Sequence, residues 1–143
     1  MPSSISLQTR DLVARLLAAV AANDFDAIQA LYAAAVDFRV NWPENEIGGR
    51  VPWIRHRHTA SEMRQHFAEL AEYNLPHGEG TTVEEIIVDM SEAVIFGTIR
   101  NRLAPDGKAY VARFALRLTV ENGFITRHHV YEDSLSVFRA VEA

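Results

Sequence analysis

The segment that most constrains the fold is the stretch 123–133. It reads Gly-Phe-Ile-Thr-Arg-His-His-Val-Tyr-Glu-Asp. A turn glycine opens the segment, side chains then alternate with the period of two that a β-strand requires, and Tyr-x-Asp closes it. Since further strand patterns come directly before it, the second half of the chain predicts an antiparallel meander.

Tight turns separate the predicted strands of this meander. Pro105-Asp106-Gly107-Lys108 and Glu121-Asn122-Gly123 carry the residues that favour short hairpin connections. The strands predicted between the turns are Thr82 to Asp89, Glu92 to Leu103, Tyr110 to Val120 and Ile125 to Glu132.

Helical periodicity dominates the first half of the chain. Apolar residues recur at helical spacing from Leu7 to Ala22, and a second helix is predicted from Phe25 to Ala35. A short strand, Val36 to Asn41, follows and ends at Trp42-Pro43, because proline donates no backbone hydrogen bond. After a loop from Glu44 to Pro52, a third helix is predicted to about Tyr73, opened by the capping-box spacing of Thr59-Ala60-Ser61-Glu62.

This order of elements predicts a single α+β domain over residues 1–143, with a curved, mostly antiparallel sheet packed against N-terminal helices. The net charge of −5 argues against a nucleic-acid partner, since no basic surplus exists to neutralise phosphates. The absence of cysteine excludes disulfides and cysteine-ligated metal centres. The longest apolar run, Leu16 to Ala22, is too short to span a membrane, and no signal peptide is evident, so we expect a cytoplasmic protein without a membrane partner.

Four features together resemble the nuclear transport factor 2-like superfamily, and within it the SnoaL-like and ketosteroid-isomerase-like proteins. They are the helix-to-strand junction Leu31–Phe38, the helix Glu62–Leu70, the turn Asp106-Gly107-Lys108 before a long strand, and Gly123-Phe124-Ile125 leading to Tyr131-Glu132-Asp133. The resemblance covers nearly the whole chain. It implies a cone-shaped fold with a pocket between the concave sheet and the helices, and a homodimer formed through the outer sheet face.

The resemblance does not carry over the acidic residues of the known enzymes. Ketosteroid isomerases place a catalytic Asp late in the first strand, where this chain has Val40, or Asn41 with a one-residue shift. Epoxide-hydrolase-like relatives place an Asp in the last strand, where Val130 stands. Asn41 matches an Asn that helps to hold water in those hydrolases, and Arg100 stands near their pocket Arg.

The last strand supplies the candidate catalytic residues. His128 and Glu132 share the parity of Val130, so all three are expected to point into the pocket. A His beside a carboxylate in a partly dry cavity can act as a general acid and base near neutral pH. The alternative is that His128 is a hydrogen-bonded wall residue and Glu132 pairs with an Arg at the rim. His129 is expected to face outward.

Aromatic residues are the candidate ligand contacts. Trp42 and Trp53 flank the Gly/Pro loop and are expected at the pocket mouth, with Tyr32 and Phe67 lining the wall. Ordinary core packing is the alternative for each of them. Arg100 lies on a strand with no clearly polar side, and a buried Arg there would need an anionic partner.

His56-x-His58 followed by Glu62 echoes a His-x-His-x3-Glu metal motif. Because Glu62 is already assigned to the helix cap, we expect neither a metal nor another cofactor.

Two functions remain open from the sequence. One is an isomerase, cyclase or epoxide-hydrolase type of enzyme acting on a hydrophobic oxygenated ligand, such as a cyclic ketone or polyketide. In it His128, with Glu132, moves a proton, while Asn41 and Arg100 hold a water or an oxyanion. The other is a non-catalytic protein that only binds such a ligand. The valines at the two acid positions favour binding alone, whereas the polar groups on the last strand favour the enzyme.

Overall fold

Helices pack on one face of a six-stranded sheet in a computed structural model, which describes residues 3–43 and 49–143. Part of the predicted loop Glu44 to Pro52 therefore lies outside the described residues. The helices are α1 (Ser4–Ala21), α2 (Phe25–Leu31), α3 (Ala60–Tyr73) and α4 (Ser134–Glu142). The strands are β1 (Tyr32–Val40), β2 (Asn74–Pro76), β3 (Thr82–Asp89), β4 (Glu92–Leu103), β5 (Ala109–Glu121) and β6 (Phe124–Glu132).

The sheet has the order β1-β6-β5-β4-β2, and β3 also pairs with β4. β1 runs parallel to β6, whereas the remaining pairs are antiparallel. The short strand β2 and the longer β3 occupy different halves of the same edge of β4. The sheet is curved and does not close, which confirms the predicted α+β class.

The boundary between α2 and β1 differs from the prediction. The second helix ends at Leu31 rather than Ala35, and Tyr32 already pairs with Ile125 of β6. Ala33 to Ala35 favour a helix by intrinsic propensity, but burial of Val36 and Phe38 against the core fixes this segment as a strand.

The C-terminal helix was not predicted. Asp133 caps α4, since its carboxylate accepts a hydrogen bond from the backbone N–H of Ser136 at 3.2 Å. Val137 and Ala140 are buried at helical spacing, and that periodicity was the available signal.

The start of α3 follows the predicted capping pattern. The Thr59 hydroxyl accepts a hydrogen bond from the backbone N–H of Glu62 at 3.2 Å, and the Glu62 carboxylate accepts one from the backbone N–H of His58 at 3.0 Å. α3 therefore has a fixed start from which its apolar face meets the sheet. Among the described helices, none combines the length and apolar character that a membrane span needs.

Candidate functional site

A cavity of about 410 Å³ lies between the concave face of the sheet and the helices. Most of its wall is apolar, contributed by α1, α2, α3 and the strands β4 to β6. The polar residues among those that line it are Asn23, His66, Asn74, Thr81, Asn101, Tyr110, His128 and Glu132.

Strand alternation decides which side chains of β6 reach the cavity. His128, Val130 and Glu132 line it, whereas His129 lies on the opposite face, where its Nε2 is 3.0 Å from Oδ2 of Asp37. The catalytic candidates His128 and Glu132 therefore belong to the wall of one cavity, separated on the strand by Val130.

His128 is held by a buried hydrogen bond. Its Nδ1 lies 2.8 Å from the hydroxyl of Tyr32, and its ring also contacts the rings of Phe38 and Phe67 at centroid distances of 5.4 and 6.0 Å. Burial lowers the pKa of His128 from its ordinary value to about 3, with a further contribution from the charge of His129. The imidazole is therefore neutral at neutral pH.

The hydrogen-bond network assigns the tautomer of this neutral imidazole. Burial raises the pKa of Tyr32, so its hydroxyl keeps its proton, and within the described residues His128 is the only hydrogen-bond partner of that hydroxyl. We therefore assign Tyr32 as donor and Nδ1 of His128 as acceptor. The ring proton then sits on Nε2, which makes His128 a neutral hydrogen-bond donor.

A second buried histidine, His66 of α3, was missed from the sequence. Its ring centroid is 6.2 Å from that of His128. Its Nδ1 is buried and has no hydrogen-bond partner in the described part of the chain. Burial, then the charges of His128 and Arg57, hold the pKa of His66 well below its ordinary value. Its place between Met63 and Leu70 on the apolar face of α3 could have revealed it.

Glu132 is the one carboxylate among the described residues that line the cavity. Its Oε1 accepts a hydrogen bond of 2.6 Å from Nε1 of Trp42. Burial raises the pKa of the Glu132 carboxyl above its ordinary value; the Trp42 hydrogen bond lowers it, and the charge of Asp133 raises it. The result is a partly buried acid with one fixed oxygen.

Asn41 fixes the backbone beneath this acid. Its side-chain amide donates to the carbonyl oxygen of Glu132 at 3.3 Å and accepts from the N–H of Glu132 at 2.9 Å. Its own backbone N–H donates to the carbonyl of Val130 at 3.1 Å. Asn41 thus continues the β1–β6 pairing past the end of β1, and with Trp42 it positions Glu132 rather than lining the cavity.

A further polar group forms around Tyr110 of β5. The Tyr110 hydroxyl donates to Oδ1 of Asn74 at 2.6 Å and accepts from Nδ2 of Asn101 at 3.2 Å. Burial raises the pKa of Tyr110 to about 12, so the hydroxyl stays protonated. Tyr110 begins the apolar alternation of its predicted strand, and the overlooked signal is that a buried tyrosine hydroxyl needs a hydrogen-bond partner.

A family model described as a SnoaL-like domain matches residues 13–128. The chain belongs to this SnoaL-like family. A search of curated protein sequences finds no match to the chain.

Solved structures share the fold of this SnoaL-like domain at low sequence identity. A nuclear transport factor 2-like protein of Burkholderia thailandensis matches with a TM-score of 0.78 and 20% identity, over 94% of this chain and 98% of that one. A protein proposed to be a polyketide cyclase in Xanthomonas campestris matches with a TM-score of 0.72 and 16% identity, over 96% and 99%. An epoxide hydrolase of M. tuberculosis, similar to limonene epoxide hydrolase, matches with a TM-score of 0.71 and 13% identity, over 96% and 91%.

The remaining candidate residues of this SnoaL-like domain fall into two groups. Trp53 and Phe67 line the cavity, whereas Tyr32 lies behind His128 and contacts it. Arg100 is not among the lining residues, because its neighbours Ile99 and Asn101 take the cavity positions of β4.

The side chain of Arg100 is used on the other face of the sheet. Its Nη1 donates to the Thr82 hydroxyl at 2.9 Å and lies 4.0 Å from the Glu79 carboxylate. The His-x-His pattern upstream forms no metal site within residues 3–43 and 49–143, where no cluster of three or more metal-ligating side chains occurs.

Proposed function

We propose that this SnoaL-like domain binds a hydrophobic, oxygenated small molecule in its cavity and catalyses a cofactor-independent proton transfer on it, with Glu132 as the acid and base. One observation carries the proposal. The Glu132 carboxylate lies in an apolar cavity wall with Oε1 fixed by Trp42, and Oε2 makes no hydrogen bond within the described residues.

The surroundings of Glu132 suit proton transfer near neutral pH. A carboxyl group with a raised pKa is a stronger base when ionised and an effective acid when protonated. Asn41 and Trp42 hold its backbone and one oxygen, so the second oxygen can meet a substrate without losing that geometry. The apolar wall keeps water from competing for the proton.

His128 takes a different role in this proposal from the one expected from the sequence. Its pKa of about 3 makes the imidazole a weak base, and it lies four positions before Glu132 on β6, which puts their Cα atoms about 13 Å apart at the usual rise per residue. The two side chains therefore do not share one proton. His128 instead donates a hydrogen bond from its Nε2–H to an oxygen atom of the ligand, and this bond orients the ligand.

The related folds support an oxygenated ligand. The matched epoxide hydrolase and the proposed polyketide cyclase are both named for chemistry on oxygen-bearing carbon skeletons. Their identities to this chain are too low to transfer a substrate, so the argument for acid–base chemistry rests on Glu132 itself.

A second candidate function is ligand binding without turnover. Val40 and Val130 both line the cavity, at the positions where the resemblance implies the acids of ketosteroid isomerases and epoxide hydrolases. A cavity without those acids is suited to carrying or sensing a ligand.

The experiment that separates the two is hydrogen exchange into a panel of cyclic ketones in D₂O, followed by mass spectrometry. The enzyme incorporates deuterium next to the carbonyl, and Glu132→Gln lowers the rate at least about 100-fold because it removes the base. Ligand affinity in Glu132→Gln stays within a few-fold, since the amide oxygen still accepts from Trp42. The matched control is Arg113→Gln, which changes an exposed residue on the outer face.

Three outcomes are decisive. Exchange that is lost in Glu132→Gln but kept in Arg113→Gln supports the enzyme. Exchange that survives in Glu132→Gln contradicts the role of Glu132. Saturable binding of the ketones with no exchange in the unaltered protein favours the binding function.

We also propose a homodimer through the outer sheet face, where Phe96, Val111 and Tyr131 are exposed apolar or aromatic side chains. Light scattering coupled to size-exclusion chromatography should give twice the chain mass of 16.0 kDa. Val111→Glu combined with Tyr131→Glu should return the mass to that of a monomer. A monomer in the unaltered protein contradicts the proposal.

A further inference from the structure

We infer that the cavity is built for an elongated ligand that carries an oxygen function at each end of an apolar skeleton. This inference rests on the proposed use of the cavity as a ligand site and adds the class of ligand. Six of the eight polar residues that line the cavity in the described part of the chain fall into two groups, and Asn23 and Thr81 lie outside both.

The first group consists of His128 and His66, whose ring centroids are 6.2 Å apart. With Nδ1 of His128 occupied by Tyr32, the Nε2–H of His128 is a donor. The Nδ1 of His66 is buried without a hydrogen-bond partner among the described residues, and in the tautomer that carries the ring proton on Nε2 it is an acceptor. A donor and an acceptor side by side match a hydroxyl group, which accepts one hydrogen bond and donates another.

The second group consists of Asn74, Tyr110, Asn101 and Glu132. The Tyr110 hydroxyl is saturated by its two asparagine partners, so it serves to hold the amide of Asn101 in place. An amide nitrogen carries two N–H groups, and only one of those on Asn101 is used by Tyr110. The other N–H, with the second oxygen of Glu132, can hydrogen-bond to a ligand oxygen at this end.

Two independent walls give the same separation between the groups. His66 and Asn74 are eight residues apart along α3 and its C-cap, which is about 12 Å at the helical rise. His128 and Glu132 are four residues apart on β6, which is about 13 Å at the strand rise. One six-membered ring is too short to reach both ends, so the ligand needs a longer skeleton, such as two linked or fused rings.

The lining residues that stand between the two groups along α3, β5 and β6 are apolar. Phe67 and Leu70 contribute from α3, Leu116 from β5 and Val130 from β6. A polar substituent in the middle of the ligand would find no partner there, and leaving it unpaired would weaken binding. Oxygen at the ends and hydrocarbon in the middle is therefore the pattern that the wall selects.

The test uses three probes with one skeleton: biphenyl, 4-phenylphenol and 4,4′-dihydroxybiphenyl. Their dissociation constants are measured by calorimetry, with tryptophan fluorescence as a second readout, since Trp53, one of the two tryptophans, lines the cavity. For the unaltered protein, the dihydroxy compound should bind at least about tenfold more tightly than 4-phenylphenol, and 4-phenylphenol more tightly than biphenyl.

The variants assign each hydroxyl to one end. Asn101→Leu should remove the gain in affinity that one hydroxyl gives and keep the gain from the other. The double change Tyr32→Phe with His128→Phe should remove the gain from that other hydroxyl and keep the first. The double change avoids leaving the Tyr32 hydroxyl unpaired, and unchanged biphenyl affinity shows that the cavity has kept its shape. Arg113→Gln, on the outer face, should leave all three affinities unchanged.

The inference is overturned if the three probes bind the unaltered protein equally, if none of them binds, or if either variant removes the gain from both hydroxyls. These results are independent of the proton-transfer test. A gain in affinity from each of the two hydroxyls, without deuterium exchange into the ketones, would support the two-ended ligand and contradict the enzyme. Deuterium exchange without any gain from the hydroxyls would support the enzyme and contradict the two-ended ligand.

Discussion

Tyr32 and His128 hydrogen-bond across the β1–β6 pair, with 2.8 Å between the phenolic oxygen and Nδ1. Only 3% of Tyr32 and 2% of His128 is exposed, so neither group can exchange this bond for water. The bond fixes which nitrogen of His128 carries the proton. The chemistry available to the cavity at this end therefore depends on Tyr32, which does not line it.

Removing either partner of this bond should destabilise the protein. Tyr32→Phe leaves Nδ1 of His128 unpaired, and His128→Phe leaves the Tyr32 hydroxyl unpaired, so we expect each to cost about 1–3 kcal/mol. The double variant should lose less than the sum of the two, because no polar atom is then stranded. Urea unfolding of the four proteins measures this coupling. Additive losses would contradict it, and Tyr131→Phe, at an exposed tyrosine, is the control.

The two buried histidines should make stability depend on pH. The pKa of folded His128 is about 3, below the ordinary value of 6.5, and that of His66 is also lowered. Between pH 3 and pH 6.5 the unfolded chain binds more protons than the folded one. The contribution of the neutral histidines to the free energy of unfolding is therefore complete above pH 6.5 and falls as the pH drops toward 3. Each histidine contributes a slope of up to about 1.4 kcal/mol per pH unit.

This slope can be assigned to single residues by substitution. In the double variant Tyr32→Phe with His128→Phe, the free energy of unfolding should depend less steeply on pH across that interval, by the contribution of one histidine. His77→Gln, at an exposed histidine, should keep the full pH dependence. Comparing slopes between variants cancels the contribution of Glu132, whose raised pKa acts in the opposite direction. Equal slopes in all proteins would show that His128 is not buried in its neutral form.

Much of this fold could be predicted from the sequence because its signals are local. The hairpin turns, the strand alternation and the cap at Thr59 depend on neighbouring residues. The end of α2 could not be predicted, since Ala33 to Ala35 are helix formers by propensity. They become a strand through the burial of Val36 and Phe38 and the bridge between Ala35 and Thr59, which no local pattern shows.

Strand alternation predicts which side chains of the candidate site face the cavity, but it does not predict which residues they contact. Alternation along β6 places both His128 and Glu132 in the cavity wall. Their partners Tyr32 and Trp42 lie about ninety residues earlier, and no local pattern joins them. His66 and the Tyr110 group were overlooked for a related reason: a polar residue on an apolar face shows its role only when the residue facing it is known.

Trp42 should tune the acid in the cavity. Its indole N–H stabilises the ionised form of Glu132, so Trp42→Phe should raise the pKa of that carboxyl further. A hydrogen bond to a charged group is worth about 1.5–3 kcal/mol, which is enough to make the increase measurable. Carbon NMR of the Glu132 side chain during a pH titration measures the change. An unchanged or lowered pKa would contradict the role assigned to Trp42.

Gly97 should not tolerate even alanine. A Cβ at this position would lie 2.7 Å from the ring of Phe114 and would collide with the backbone carbonyl oxygen of Thr82. Overpacking of this kind typically costs about 1–3 kcal/mol, and we expect Gly97→Ala near the upper end because the Thr82 carbonyl belongs to a paired strand.

Since Phe114 lines the cavity, a ring displaced inward by Gly97→Ala should also weaken binding of biphenyl. Adding Phe114→Leu relieves the ring contact but not the carbonyl contact, so it should restore ligand affinity while leaving much of the stability loss. Full recovery of unfolding stability in that double variant would show that the strand backbone can shift, and an unaffected Gly97→Ala protein would contradict the close packing of β3 on β4.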